Sequence, residues 1–301
     1  LLTCTVGKDD STSDLLVSVT GVNAEADMNF ESFVEFCLCG LADKLNRFRK
    51  YLLYGKRSDT ASYIRALCAR GAKISQDLYM PTPESVFLDD TTPFMLSIGS
   101  HVGLAAGVKV LTHDASWHVD HALTGRVIGH IAPVSIGNNV FVGMNSVILC
   151  GVSICDNVII GAGSVVSGSI KKSGVYSGNP AKLVAPLDVF FEFREERMLS
   201  EAYTFAEKYY EAFGQKPLEE LFNEYFYLFC PRRKDALNES FLRQMNRGAN
   251  EKALDAFLSS EPEFESYDAF WAYCMERMAK KADKAKADKN AVSSEEKACQ
   301  E

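Results

Sequence analysis

The chain has 301 residues, with 40 acidic against 32 basic side chains and a formal charge of −8. That balance argues against nucleic acid or an anionic membrane as the main partner, because both reward a basic face, and no stretch approaches 18 uninterrupted apolar residues, which argues against a membrane span. Nine cysteines, odd in number and without a paired CxxC spacing, suit a reducing cytoplasm better than a disulfide framework.

Residues 1–27 lack the basic start and long apolar run of a signal peptide and read as a disordered tail ahead of Met28. Over 29–54 apolar residues recur at helical spacing, at Phe30, Phe33, Val34, Cys37, Leu41, Leu45, Phe48 and Leu52. A second, short helix is predicted over 58–70, stopped by Gly71. Residues 28–72 are therefore expected to form a helical cap over the open end of the next segment, since the end of a β-coil is an edge that has to be covered.

The chain is organised around residues 136–171. Ile136, Val142, Ile148, Ile154, Ile160 and Val166 stand six apart, with a second apolar or small residue four places after each: Val140, Ser146, Val152, Val158, Ser164 and Ile170. Neither a helix nor a lone strand has that period. It marks hexapeptide repeats, in which each hexad is one short strand plus a corner and three hexads close one triangular coil of a parallel β-helix. The opening aliphatic residue points inward, while Gly, Asn and Asp occupy corners because they accept positive φ at little cost. Stepping backward by six from Val110 reaches Leu104, Ile98, Thr92, Val86, Met80 and Ile74, and only Thr92 breaks the apolar rule. The two tracts are out of phase, so a loop is expected to leave the prism over 114–133. The predicted β-helix covers 73–186, a little over four coils.

After Pro186 the texture turns helical. An extension over 187–282 is expected to hold helices at 187–213, 217–229, 235–246, 250–259 and 265–282, with proline and glycine marking their ends. Its aromatic residues, among them Phe190, Phe193, Tyr203, Phe205, Tyr209, Tyr210, Phe213, Phe222, Tyr225, Phe226 and Phe229, suit core or subunit packing better than a ligand. The polar end over 283–301 reads as a frayed tail.

Three segments, GVKVLTHDASW (107–117), VSIGNNVFVGMNSVILCGVSICDNVIIGAGSVV (134–166) and SGNPAKLV (177–184), resemble the hexapeptide-repeat acetyltransferases, above all the maltose/galactoside O-acetyltransferase group and the O-acetyltransferases of polysaccharide gene clusters. The resemblance implies a mainly β fold, a left-handed parallel β-helix with N-terminal helices and an α-helical C-terminal extension. It also implies acetyl-CoA as co-substrate, no required metal, and a homotrimer with active sites between subunits. His113 matches the family's general base. An imidazole, whose ordinary pKa is near 6.5, can take a proton from an alcohol at neutral pH as the thioester is attacked. Asp114 is the nearest group in sequence to fix its tautomer.

Asp114, Trp117 and His118 are expected at the acceptor, where THDASW stands in place of the family's THP-type continuation. Donor-binding positions map by resemblance onto Met144, Asn145, Ala162, Ser167, Gly168 and Lys182, with Lys182 meeting the nucleotide phosphates. Ser167-Gly168 replaces the Thr-Lys common in relatives, with Lys171 or Lys172 as substitutes. Zinc on His113, His118 and His121 is a weaker alternative, lacking the arginine and aspartate context of the β-helical carbonic anhydrases; His101 and His130 read as loop or interface residues. The expected activity is acetyl transfer to a hydroxyl of a sugar or polysaccharide precursor. The alternatives are N-acetylation of an amino sugar or xenobiotic, and a non-catalytic β-helix scaffold.

Overall fold

The computed structural model describes residues 3–8, 15–21, 24–29, 44–246 and 252–298, with side chains over 44–246 and 252–284. Short parallel strands wind from 73 to 185 and stack into three faces. The first face pairs Lys73–Ile74, Leu96–Ile98, Val134–Ile136 and Ser153–Ile154; the second Gly103–Leu104, Val140–Val142, Val158–Ile160 and Gly174–Ser177; the third Phe87–Leu88, Lys109–Val110, Val147–Ile148 and Val165–Val166. A last strand, Lys182–Ala185, folds back antiparallel on Gly174–Ser177.

Register explains why a period of six holds. Ile74, Ile98, Ile136 and Ile154 lie directly over one another, as do Leu104, Val142 and Ile160, topped by the half-buried Tyr176, and Leu88, Val110, Ile148 and Val166. Each coil thus sets one aliphatic residue per face into a continuous column, worth about 1.5–3 kcal/mol for each fully buried side chain. The residues four places on are buried too. Ser146 and Ser164 manage this by donating their hydroxyls to the carbonyl of Gly161, at 3.0 and 2.6 Å, since a buried hydroxyl needs a partner.

The backward count is corrected in the first coil. Leu88, not Val86, lies under Val110, so two extra residues separate Met80 from the third face; four more separate Leu88 from Ile98, and Thr92 is no hexad position. Insertions at corners displace the count while the strands keep their vertical partners. The loop expected over 114–133 leaves as an antiparallel ribbon, His113–Asp114 against His130–Ile131, that carries a helix at Trp117–Thr124 closed by Gly125 at φ 77°.

The helix Thr60–Cys68 covers the N-terminal end. Asp59 caps it by accepting from the Ser62 N–H at 2.8 Å, and Tyr63, Ile64 and Leu67 are buried in the prism's core. Residues 44–54 are helical, yet Leu45, Phe48 and Leu52 are exposed, so among the described residues the cap is the second helix alone. Thr3–Lys8, Leu15–Gly21 and Ala24–Asn29 form a three-stranded antiparallel sheet where a disordered tail was expected. The β-branched run in LLVSVTG favours that conformation. The expected helical residues 30–43 lie outside the described residues.

In the extension, Leu187–Phe213 forms one helix ended by Gly214 at φ 66°. The helix expected over 217–229 is replaced by two 3₁₀ turns, Glu219–Phe222 and Phe226–Leu228, which let Phe222, Phe226 and Phe229 all turn into a separate aromatic core. The last helix, Tyr267–Ala298, runs past the boundary expected at 282, as the Ala- and Lys-rich composition permits. Among the described residues no helix is long and apolar enough to cross a membrane.

Candidate active site

The site begins where the second coil ends. After Val110 the Leu111 N–H still donates to the Ile148 carbonyl, 2.9 Å away in the coil above, and Thr112 turns fully inward. His113 is then released from the prism. From the coil below, Asp89 follows Leu88 upward, its N–H donating to the Val110 carbonyl at 3.0 Å and its side chain wholly buried. The Asp89 carboxylate receives five donors. Thr91 gives its N–H at 3.1 Å and its hydroxyl at 2.6 Å to Oδ1, while Thr112 gives its N–H at 3.0 Å and its hydroxyl at 2.8 Å to Oδ2. The fifth is His113 Nδ1, 2.6 Å from Oδ2.

Burial alone would raise the Asp89 pKa, but the hydrogen bonds from Thr91 and Thr112 overcome it and hold the group well below the usual carboxylate range. An ionised carboxylate only accepts, so in the neutral ring it is Nδ1 that carries the proton and Nε2 that has the lone pair. The His113 side chain is 40% exposed. This is a ring held in one tautomer at one nitrogen and open at the other, the arrangement of a base that takes one proton from an incoming hydroxyl.

Asp114 does not fix that tautomer. Its carboxylate accepts from the Ser116 N–H at 2.9 Å and from His130 Nδ1 at 2.7 Å, and the hydrogen bonds of Ser116, followed by that of His130, bring its pKa down to about 2. Cys150 Sγ lies 3.4 Å from the same His130 nitrogen. Trp117 and His118 sit on the first turn of the protruding helix with ring centroids 5.0 Å apart, Trp117 half-buried and His118 exposed. Among the described residues no hydrogen bond or ring contact joins either to His113. The zinc alternative on His113, His118 and His121 finds no support, because the only group of three or more potential ligands among the described residues, Asp114, His130 and Cys150, contains none of them.

The positions mapped to the donor divide between two edges of the prism. Met144 and Asn145 turn the corner from second to third face, with Asn145 at φ 59°; Ala162 turns the same corner one coil up, where the Gly163 N–H donates to the Met144 carbonyl at 2.7 Å. Gly143 lets these corners close, since a Cβ there would stand 2.5 Å from the Ala162 nitrogen. Lys182 pairs with Ser177 at the top of this edge and is exposed. Ser167 and Gly168 lie instead on the edge from third to first face, with His113 and Cys150 below them.

Sequence reasoning missed Asp89, Thr91 and Thr112. The one signal available was the acidic pair Asp89-Asp90 directly after a buried leucine, readable only once Leu88 is placed under Val110.

The family described as Bacterial transferase hexapeptide (six repeats) matches residues 133–168. Protein CapG of Staphylococcus aureus is 34% identical over 141 residues, covering 46% of this chain and 78% of CapG. Galactoside O-acetyltransferase of Escherichia coli (strain K12) is 34% identical over 101 residues, covering 34% of this chain and 47% of that enzyme. The crystal structure of a maltose O-acetyltransferase from Clostridium difficile 630 is 26% identical, covers 48% of this chain and 84% of its own, and superposes with a TM-score of 0.33. On the stacked hexads and the extent of CapG that it spans, the chain belongs to the hexapeptide-repeat transferase family, whose β-helix is left-handed.

Proposed function

We propose that the protein transfers an acetyl group from acetyl-CoA to a hydroxyl of a sugar or polysaccharide precursor, with His113 as general base. The observation that carries this reading is the His113–Asp89 pair, which presents Nε2 as a lone-pair acceptor at the mouth of the protruding ribbon. As the acceptor oxygen attacks the thioester carbonyl its proton passes to Nε2, and the imidazolium that forms is stabilised by the Asp89 charge behind it; the tetrahedral centre then collapses, the carbon–sulfur bond breaks, and the proton on Nε2 goes to the departing CoA sulfur. The sugar acceptor named for the Escherichia coli relative supports an alcohol over an amine.

A homotrimer completes the site in this reading. Packed around a threefold axis, the edge of one chain that carries Met144, Asn145, Ala162 and Lys182 meets the neighbour's edge that carries His113, Ser167 and Gly168, which gathers both groups along one bound CoA. Trp117 and His118, on the protruding helix, face the acceptor. The cytoplasm, where acetyl-CoA is available, is the proposed compartment.

The test is CoA release from acetyl-CoA across a panel of sugars and amino sugars. Stimulation by hydroxyl acceptors is expected, and His113→Ala should lower it about 10²-fold or more while the far-ultraviolet circular dichroism is unchanged. Equal rates in the two proteins remove His113 from the mechanism; stimulation by amines alone overturns the O-acetyl assignment.

A further inference from the structure

Where the ribbon leaves the prism, three ligand types converge that the transfer reaction does not use. Asp114 and His130 are direct cross-strand partners, and Cys150 comes from the corner of the third coil, two residues after Ile148. Asp114 Oδ2 lies 2.7 Å from His130 Nδ1, and Cys150 Sγ lies 3.4 Å from Nδ1 and 3.8 Å from Nε2. Carboxylate oxygen, imidazole nitrogen and sulfur all fall within 4.8 Å of one another.

We propose that Asp114, His130 and Cys150 form a binding site for a borderline divalent transition metal of the zinc class, which clamps the neck of the ribbon to the third coil. Tetrahedral zinc holds nitrogen and oxygen ligands at about 2.0–2.2 Å and sulfur at about 2.3 Å, so its ligand atoms stand roughly 3.3–3.8 Å apart. The sulfur–nitrogen separation already meets that, and the oxygen–nitrogen pair opens by roughly half an ångström through side-chain torsion alone. A mixed sulfur, nitrogen and oxygen set selects zinc, cobalt or nickel over magnesium and calcium, which prefer all-oxygen cages. The coordinate bonds form as the Cys150 thiol releases its proton to solvent and the His130 ring, bound through Nδ1, carries its one proton on Nε2 instead of giving it to Asp114. The fourth position is left to water, on the side where His130 is 56% and Asp114 40% exposed.

The backbone around the three residues is set independently of any ion. Ribbon pairing fixes Asp114 opposite His130, the Ala132 N–H donates to the Thr112 carbonyl at 2.9 Å, and Gly151, at φ 78°, turns the corner after Cys150 so closely that a Cβ on it would lie 3.4 Å from Ala132 Cβ. The ion also stands apart from the base. Neighbouring residues in a strand point to opposite sides: His113 reaches down to Asp89 in the first coil, while Asp114 and His130 reach up to Cys150 in the third. Its role is therefore to position the ribbon and the helix Trp117–Thr124 it carries, without touching the reacting atoms.

The experiment uses the full chain, stripped with chelator and titrated with Co²⁺. One equivalent should bind, with a thiolate-to-cobalt charge-transfer band in the near ultraviolet that Zn²⁺ displaces. Cys150→Ser should abolish the band, and His130→Ala should weaken binding by about 100-fold or more, beyond the 10–100-fold typical of outer-shell losses. His118→Ala, His121→Ala and His113→Ala should leave it intact. Zn²⁺ should raise the Tm of the parent protein but not of Asp114→Asn, because an ion that binds only the folded state stabilises by mass action. Absence of the band in the parent protein, its persistence in Cys150→Ser, or an equal Tm rise in Asp114→Asn overturns the site. None of these readouts depends on acetyl transfer, so failure here and failure of the proposed activity are distinguishable.

Discussion

Replacing Asp89 by asparagine keeps the shape of the side chain and removes its charge, and the surrounding donors dictate how the site responds. The new amide group has two hydrogens to place. On the Oδ1 side only the Thr91 hydroxyl can turn round to accept one; on the Oδ2 side both the Thr112 hydroxyl and His113 Nδ1 can accept. The amide nitrogen therefore takes the Oδ2 position, where the Thr112 N–H loses its acceptor and His113 is driven to the tautomer with its proton on Nε2. An orphaned buried N–H costs about 1–3 kcal/mol, and with the charge-assisted bonds also weakened the total is about 2–3 kcal/mol. At about 2–4 °C per kcal/mol, Tm should fall by about 4–12 °C. Activity should fall much further, by about 10²–10⁴ in kcat, because Nε2 no longer offers a lone pair. CoA release well below the variant's Tm measures the effect on kcat, with the KM for acetyl-CoA little changed. A kcat within about threefold of the parent, or a loss that tracks the unfolded fraction, would refute the reasoning. The pKa of Asp89 is depressed on folding, so its contribution to stability is present in full above the ordinary value of 3.8 and is lost as pH falls through the lower folded value. The Tm difference between parent and variant should hold from neutral pH down to about 5 and shrink only below about 4.

Gly143→Ala should destabilise by about 1–3 kcal/mol through overpacking alone, since its Cβ would meet the Ala162 backbone nitrogen at 2.5 Å; a denaturation midpoint equal to the parent's would contradict the close stacking of these corners. Ile148→Ala, in the middle of a column and wholly buried, should cost about 2–5 kcal/mol in urea unfolding, with a loss under 1 kcal/mol speaking against the column. Lys182→Ala should raise the KM for acetyl-CoA about tenfold, the equivalent of one charge-assisted hydrogen bond near 1.5 kcal/mol, with kcat unchanged. A drop in kcat at constant KM would move Lys182 away from the donor.

Much of the fold was legible because hexad periodicity is a local property that repeats. Ile136 to Val166 announce inward columns, Gly71 and Gly214 follow the ends of their helices, and the THD segment marks where the chain leaves the prism. The same reasoning erred where the local signal was blind to tertiary partners. Val86 is apolar and in phase, yet Leu88 is the residue under Val110. The helical period over 29–54 pointed to a packed cap, while Leu45, Phe48 and Leu52 are exposed. Aromatic residues dense enough to suggest one helix over 217–229 are folded by their own core into separate turns.

By itself the sequence determined the β-coil, its number of turns and the histidine at its exit, because an apolar residue every six positions has one stable solution. Tertiary structure alone decided that Asp89, 24 residues earlier, orients His113, and that Asp114 turns away to join His130 and Cys150. It also decided that the positions mapped to the donor lie on two edges of the prism. In a coil, vertical neighbours are whole turns apart along the chain, and insertions of two, four or more residues at the corners leave that stacking intact while erasing any fixed spacing by which it could be read.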